Sequence, residues 1–158
     1  MPQVLIRPMT AADVPAVAAL EQTAPDAWTA AQLMEELQAP FARCLVLCRG
    51  GEIAAFCTAQ AAADEASLNA ITVAPACRGQ GLGGQLLRAL MQRLADEGAA
   101  MLYLEVRAGN APALALYERA GFFRTGRRPR FYRDPTEDAV TMRCPLPAAP
   151  AAQPAQNA

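Results

Sequence analysis

Two side chains in this sequence are placed to move protons. Glu105 stands in the run Met101-Leu102-Tyr103-Leu104-Glu105-Val106, on the Met101-Tyr103-Glu105-Arg107 face and opposite Leu102-Leu104-Val106. A carboxylate at a strand end, partly desolvated, can act as a general base, directly or through water. Tyr117 follows Asn110 by seven residues, about two helical turns, so both point from one face. Its phenol, with an ordinary pKa near 10, is a suitable proton donor. Each residue also has a bland reading: Glu105 pairs with a neighbouring Arg, Tyr117 fills a core, and Asn110 caps a helix. The competition is thin, because the chain has no His and all 14 of its basic residues are Arg. That removes the base of a Ser-His-Asp or Cys-His unit, the imidazoles of the common zinc sites, the P-loop Lys and the Schiff-base amine.

The second pattern is a loop, Arg78-Gly79-Gln80-Gly81-Leu82-Gly83-Gly84. By letters, Gly79-x-Gly81-x-x-Gly84 matches the dinucleotide fingerprint, and Glu105 lies about 20 residues on, where a ribose-binding acid would sit. Against this, Pro75 and Arg78 separate the glycines from the preceding strand, whereas the fingerprint occupies a tight first βα turn. A ligand-free packing turn is a further reading, but it needs fewer glycines, each costing up to about 1 kcal/mol relative to Ala. The third reading is a phosphate cradle: consecutive backbone N–H groups, the positive helix start, and Arg78 as a mobile cation at the rim.

The elements that must position these groups are legible in order. Val4-Leu5-Ile6 reads as a strand closed by Pro8. Thr10, with Asp13, opens a helix carrying Val14, Val17, Ala18 and Leu20. A second helix runs from near Thr29 to Pro40. Cys44–Cys48 and residues 53–60 are strands about a Gly50-Gly51 hairpin, and a third strand follows the Asp64-Glu65 turn to Val73. The glycine loop opens a helix with Leu86, Leu87, Leu90, Met91 and Leu94 on one stripe, ended by Gly98. The 101–106 strand, a helix from Asn110 to Gly121, a strand near 122–126, an Arg-rich loop and a strand at 139–142 complete the order βααβββαβαββ. This is an α/β domain with a mixed, mostly antiparallel sheet flanked by helices, expected over residues 1–144. From Pro145 the Pro/Ala-rich tail, 145–158, has no apolar period and reads as disordered.

Arg78-x-x-Gly81-x-Gly83, placed after the fourth strand of that order, resembles the coenzyme signature of GCN5-related N-acetyltransferases. Further likeness runs through Asp64-Glu65-Ala66-Ser67-Leu68, Leu104-Glu105-Val106-Arg107, Asn110, Ala115-Leu116-Tyr117-Glu118, Gly121-Phe122 and Glu137-Asp138-Ala139; upstream, Ala27-Trp28-Thr29 resembles a Pro-Trp-Ser. The resemblance implies acetyl-CoA as co-substrate, no metal, Glu105 as general base and Tyr117 as proton donor to the departing thiolate. It implies coenzyme contacts from Ile71, Thr72, Val73, Arg78, Gly79, Gln80, Gly81, Leu82, Gly83, Gly84 and Asn110. It further implies acetylation of a protein N-terminal alanine, that of small-subunit ribosomal protein eighteen. Two departures bear on the acceptor. The family's Asn just before the Ile of the fourth strand appears one place earlier, as Asn69, and its paired tyrosines appear as Phe131-Tyr132.

Other classes remain as alternatives: an acetyltransferase for small amines or internal lysines, or a non-catalytic coenzyme-binding module. Net charge is −1, which supplies no global attraction to nucleic acid or anionic membrane. The cluster Arg124, Arg127, Arg128, Arg130 and Arg133 with Phe131 and Tyr132 can bind RNA, but reads first as a solvated loop beside a peptide cleft. No apolar run is long enough to span a bilayer, and the start lacks a signal-peptide core, so a cytoplasmic location is expected. The five Cys contain no C-x-x-C pair and read as buried thiols, with Cys77, in its loop, the exception to watch.

Overall fold

In the computed structural model, which describes residues 3–24 and 26–147, the element order is the expected one. Strands are β1 (Val4–Pro8), β2 (Ala42–Arg49), β3 (Glu52–Ala62), β4 (Glu65–Val73), β5 (Met101–Arg107), β6 (Phe123–Tyr132) and β7 (Glu137–Pro145). Helices are α1 (Val14–Glu21), α2 (Ala30–Gln38), α3 (Leu82–Asp96) and α4 (Ala111–Ala120). Contacts divide the chain into two compact units. One comprises residues up to Ala61 with Leu68–Leu90, and the other Ala62–Ser67 with the residues from Met91 on.

In the first unit β1, β2, β3 and β4 lie in that order, with β1–β2 and β2–β3 antiparallel. Met9, Val14 and Val17 from the α1 side, Leu33 from α2, and Cys44, Val46, Cys48 and Phe56 from β2 and β3 form one buried cluster. The stripe read from sequence on α3 holds, since Leu86, Leu87 and Leu90 are fully buried. Each such side chain contributes roughly 1.5–3 kcal/mol by leaving water. Thr10 opens a single 3-10 turn, Ala11–Asp13, before α1 begins. Asp13 accepts from the Thr10 backbone N–H at 2.8 Å and forms an ion pair with Arg7 at 2.7 Å. Thr29 caps α2 by accepting from the Gln32 backbone N–H, while Gln32 accepts in return from the Thr29 N–H.

In the second unit the strand order is β4-β5-β7-β6. Glu65–Ser67 pair in parallel with Met101–Tyr103, and β7 pairs antiparallel with both β5 and β6. Leu102, Leu104, Val140, Met142, Leu114 and Phe122 are buried here.

Two boundaries differ from expectation. The Arg-rich segment is not a loop: β6 extends through Arg124, Arg127, Arg128 and Arg130 to Tyr132. Nine of its ten residues are exposed, so it shows no alternation by which to be read as a strand. At the other end, Pro145 is the last residue of β7, opposite Met101, rather than the first of a tail. Leu146 is buried and its N–H donates to Ala100 O at 2.9 Å. Residues 148–158 of the expected tail lie outside the described residues. Cys44, Cys48, Cys57 and Cys144 are buried, and Cys77 is half-buried. No helix among the described residues is long and apolar enough to cross a membrane.

Candidate active site

In the first unit, β4 ends at Val73, and a 3-10 turn, Pro75–Cys77, leads into the glycine loop. Gly79 and Gly81 have φ of +77° and +79°, a region L side chains rarely adopt. An added Cβ at either would meet nothing within 4 Å, so backbone conformation, not crowding, requires glycine there. Gly81 O accepts from Gln85 N at 3.1 Å, which makes Gly81 the cap of α3. The N–H groups of Leu82, Gly83 and Gly84 then have no acceptor within the helix and carry the positive end of its dipole. Leu82 itself is 4 % exposed, so its side chain belongs to the core.

Arg78, expected as a rim cation, is exposed. Its Nε donates to Val73 O at 3.1 Å, which fastens the guanidinium to the end of β4 and to the expected coenzyme strand Ile71-Thr72-Val73. Gln80 accepts a hydrogen bond from Arg49 Nη1, at the end of β2. The sequence reading missed Arg49, because nothing local ties a hairpin residue to a loop 31 positions away.

Glu21 was missed as well. It is 2 % exposed, accepts from Thr72 Oγ1 at 2.9 Å and from the Trp28 backbone N–H at 3.2 Å, and so ties α1 to β4 and to the start of α2. Burial raises its pKa, and the Thr72 and Trp28 hydrogen bonds oppose that shift. The burial alternation of β4 breaks at Ala70 and Ile71, both partly buried, just before Thr72.

In the second unit, β5 alternates as expected through Val106, and Glu105 is on its exposed face. Glu105 Oε2 pairs with Arg128 Nε at 2.7 Å. Along the sheet, Glu105 faces Thr141 and Thr141 faces Gly126, while Ala139 stands between Arg107 and Arg128. The small Ala139 lets Arg128 reach over β7, a span of about two strand spacings or roughly 9.5 Å. Glu105 thus has the Arg partner of the bland reading, and its Oε1 lies outside that pair.

Tyr117 is 7 % exposed, on α4, with its ring 5.7 Å from that of Phe122. Asn110 is the α4 cap, its side chain accepting from Ala113 N at 3.2 Å. Gly121, at φ +106°, ends the helix in the left-handed region.

Arg107 breaks the β5 alternation, being buried where the pattern demands exposure. It donates to Pro135 O at 2.8 Å and to Arg133 O at 2.7 Å, pairs with Glu137 at 3.3 Å, and lies 4.7 Å from the Tyr132 ring. Glu137 also accepts from Gly109 N at 2.5 Å. One buried guanidinium thus fixes the β6–β7 connection, and its carboxylate partner holds the approach to α4. Its signal in the sequence was an Arg on the polar face of an otherwise apolar strand.

The profile of the acetyltransferase (GNAT) family matches residues 14–122, which run through both units. The chain belongs to the GNAT family. As a GNAT protein it is an acetyl-CoA-dependent N-acetyltransferase. Among relatives, the [ribosomal protein bS18]-alanine N-acetyltransferase of Escherichia coli K12 is 45 % identical over 102 residues, 63 % of this chain and 69 % of that one. The N-alpha-acetyltransferase RimI of Mycobacterium tuberculosis H37Rv is 37 % identical over 147 residues, 89 % of this chain and 91 % of that one. The crystal structure of the E. coli ribosomal-protein-S18-alanine N-acetyltransferase superposes with a TM-score of 0.86 at 37 % identity, covering 93 % of this chain and 96 % of that one. The Ard1 structure from Thermoplasma volcanium, at 23 % identity and a TM-score of 0.85, shares the fold.

Proposed function

We propose that this GNAT enzyme acetylates the N-terminal alanine of ribosomal protein bS18 in the cytoplasm, with no metal and no nucleic acid required. What carries the reading is the likeness to bS18-alanine N-acetyltransferases, which extends over most of the chain. An N-terminal amine has a pKa near 8, so at pH 7 most of it is protonated and cannot attack a thioester. Glu105 takes that proton through Oε1, while Arg128 fixes the carboxylate through Oε2. The neutral amine attacks the thioester carbonyl, the C–S bond breaks, and the leaving thiolate takes a proton from the Tyr117 phenol; the proton that the nitrogen sheds as the amide forms restores the phenol through water, and Glu105 releases its own to solvent. Backbone N–H groups of the glycine loop at the start of α3, with Arg78, hold the pyrophosphate. Ile71-Thr72-Val73 pair with the pantetheine arm as an added strand, and Asn110 contacts the coenzyme while capping α4.

One assay tests this: acetyl-CoA, a panel of N-terminal peptides including that of bS18, a lysine-bearing peptide with a blocked N-terminus, and detection of free thiol. Thiol release with the alanine N-terminus is expected, and no release from any peptide sinks the reading. Glu105→Gln should lower kcat roughly a hundredfold or more and shift its pH dependence upward, toward the pKa of the amine, with coenzyme affinity nearly intact. Unchanged turnover removes Glu105 from the role of base.

A further inference from the structure

In the second unit, the face of β5 opposite the buried Leu102-Leu104-Val106 side carries more than Glu105. Two residues before Glu105 on that face stands Tyr103, paired in register with Arg143 of β7, and Arg143 is paired in turn with Phe123 of β6. Aromatic ring, guanidinium and aromatic ring thus stand abreast on three adjacent strands, about 9.5 Å from first to last. Tyr103 is 36 % exposed and Phe123 43 %, and Arg143 is exposed between them. The Arg143 guanidinium lies 5.3 Å from the centre of the Phe123 ring. Among the described residues no carboxylate pairs with it. Two large rings left in water with an unpaired guanidinium between them form a patch, not scattered exposure. None of the three belongs to the reaction as described above.

The chemistry of the row indicates its partner. Rings set on an open sheet surface are a platform on which unpaired nucleobases stack, and a guanidinium beside them pairs with the phosphates between those bases. The surrounding charge has the matching sign. From Phe123 to Arg143 the chain carries six arginines against three carboxylates, although its overall net charge is −1. The adjacent row supplies hydroxyls. Thr125 and Thr141 are hydrogen-bonded to each other at 2.9 Å, and Thr141 lies two residues from Arg143 on the same face. Paired hydroxyls beside the platform suit a ribose 2′-OH, which both donates and accepts and which deoxyribose lacks. We propose that this row is a binding surface for single-stranded RNA, with bases stacked on Tyr103 and Phe123 and a phosphate paired with Arg143. An acidic polypeptide would meet the charge and leave the rings unused. The row stands roughly 7 Å along β5 from Glu105, so RNA held there lies beside the carboxylate without using it. The proposal stands whichever amine is acetylated.

Fluorescence anisotropy of a labelled RNA single strand of about 12 nucleotides, with the full chain as titrant, tests this. The chain should bind the RNA, bind the same sequence as single-stranded DNA severalfold more weakly, and bind the RNA duplex more weakly still. Phe123→Ala and Tyr103→Ala should each weaken RNA binding about tenfold. Arg143→Gln should weaken it too and make its salt dependence shallower by about one phosphate contact. Arg119→Gln removes an equal charge from α4 and should leave the affinity unchanged. All four side chains are exposed, so melting temperatures should stay near wild type, and the wild-type comparison of RNA, DNA and duplex decides the matter without any variant. No saturable binding of the RNA strand, tighter binding of the duplex, full affinity in both ring variants, or equal losses in Arg119→Gln and Arg143→Gln overturns the proposal. So does tighter binding of a labelled oligoglutamate, which would make the row a site for an acidic polypeptide.

Discussion

Glu105 has one oxygen committed to Arg128, and that partner is 61 % exposed. An exposed ion pair contributes little to stability, about 0–1 kcal/mol, so its value to the enzyme must be sought in orientation. Arg128→Gln is therefore expected to leave the melting temperature nearly unchanged and to lower kcat severalfold, less than Glu105→Gln does, with KM for acetyl-CoA unaffected. A rise in kcat would mean that the pair restrains the base instead of aiming it. Tyr117→Phe keeps the ring beside Phe122 and removes only the hydroxyl. Turnover should drop about tenfold or more with the fold intact, and a wild-type rate returns Tyr117 to the core. Glu105 itself was legible, because it sits on the polar face of an alternating strand. Arg128 was not, because its approach depends on β7 lying between β5 and β6 and on the small Ala139, neither of which any local pattern encodes.

At the scale of elements, helices and paired apolar strands were readable from period and punctuation, while β6 was not. Its ten residues are stabilised by pairing with β7 and by ion pairs such as Arg127–Asp138 at 3.4 Å, not by a buried face. The tie from Glu21 to Thr72 was equally hidden, since it links residues 51 positions apart. The glycine loop was legible as a loop opening α3, but which of its glycines need positive φ was not. Gly81→Ala would force Ala into the left-handed region at a cost of about 1–2 kcal/mol without any clash. If this loop presents its amides to the pyrophosphate, KM for acetyl-CoA rises severalfold while kcat at saturation changes little. An unchanged KM would separate the loop from coenzyme binding.

For the whole molecule, the absence of His removes the side chain that ordinarily titrates between pH 5 and 8, so the acid limb of stability belongs to carboxylates. Asp13 is the clearest of them: the Arg7 guanidinium and the Thr10 N–H hold its pKa at about 2. Its folded value lies below the ordinary value near 3.9, so its contribution is complete above about pH 4 and is lost as pH falls toward 2. Because the Arg7 side chain is 36 % exposed, solvent screens the pair and keeps that contribution small. Urea unfolding of Asp13→Asn should show that deficit at pH 7 and a vanishing one near pH 2. Equal deficits at both would mean the loss is one of packing alone.

The burial of four thiols, with only Cys77 partly open, has a practical consequence. Burial also raises the pKa of the Cys144 thiol, so its nucleophilic thiolate is scarcer still. A maleimide reagent applied to the native protein should therefore attach once, beside the glycine loop, and reach all five sites only in denaturant. A fluorophore installed this way needs no engineered cysteine, and its emission would report coenzyme arrival at the loop in real time.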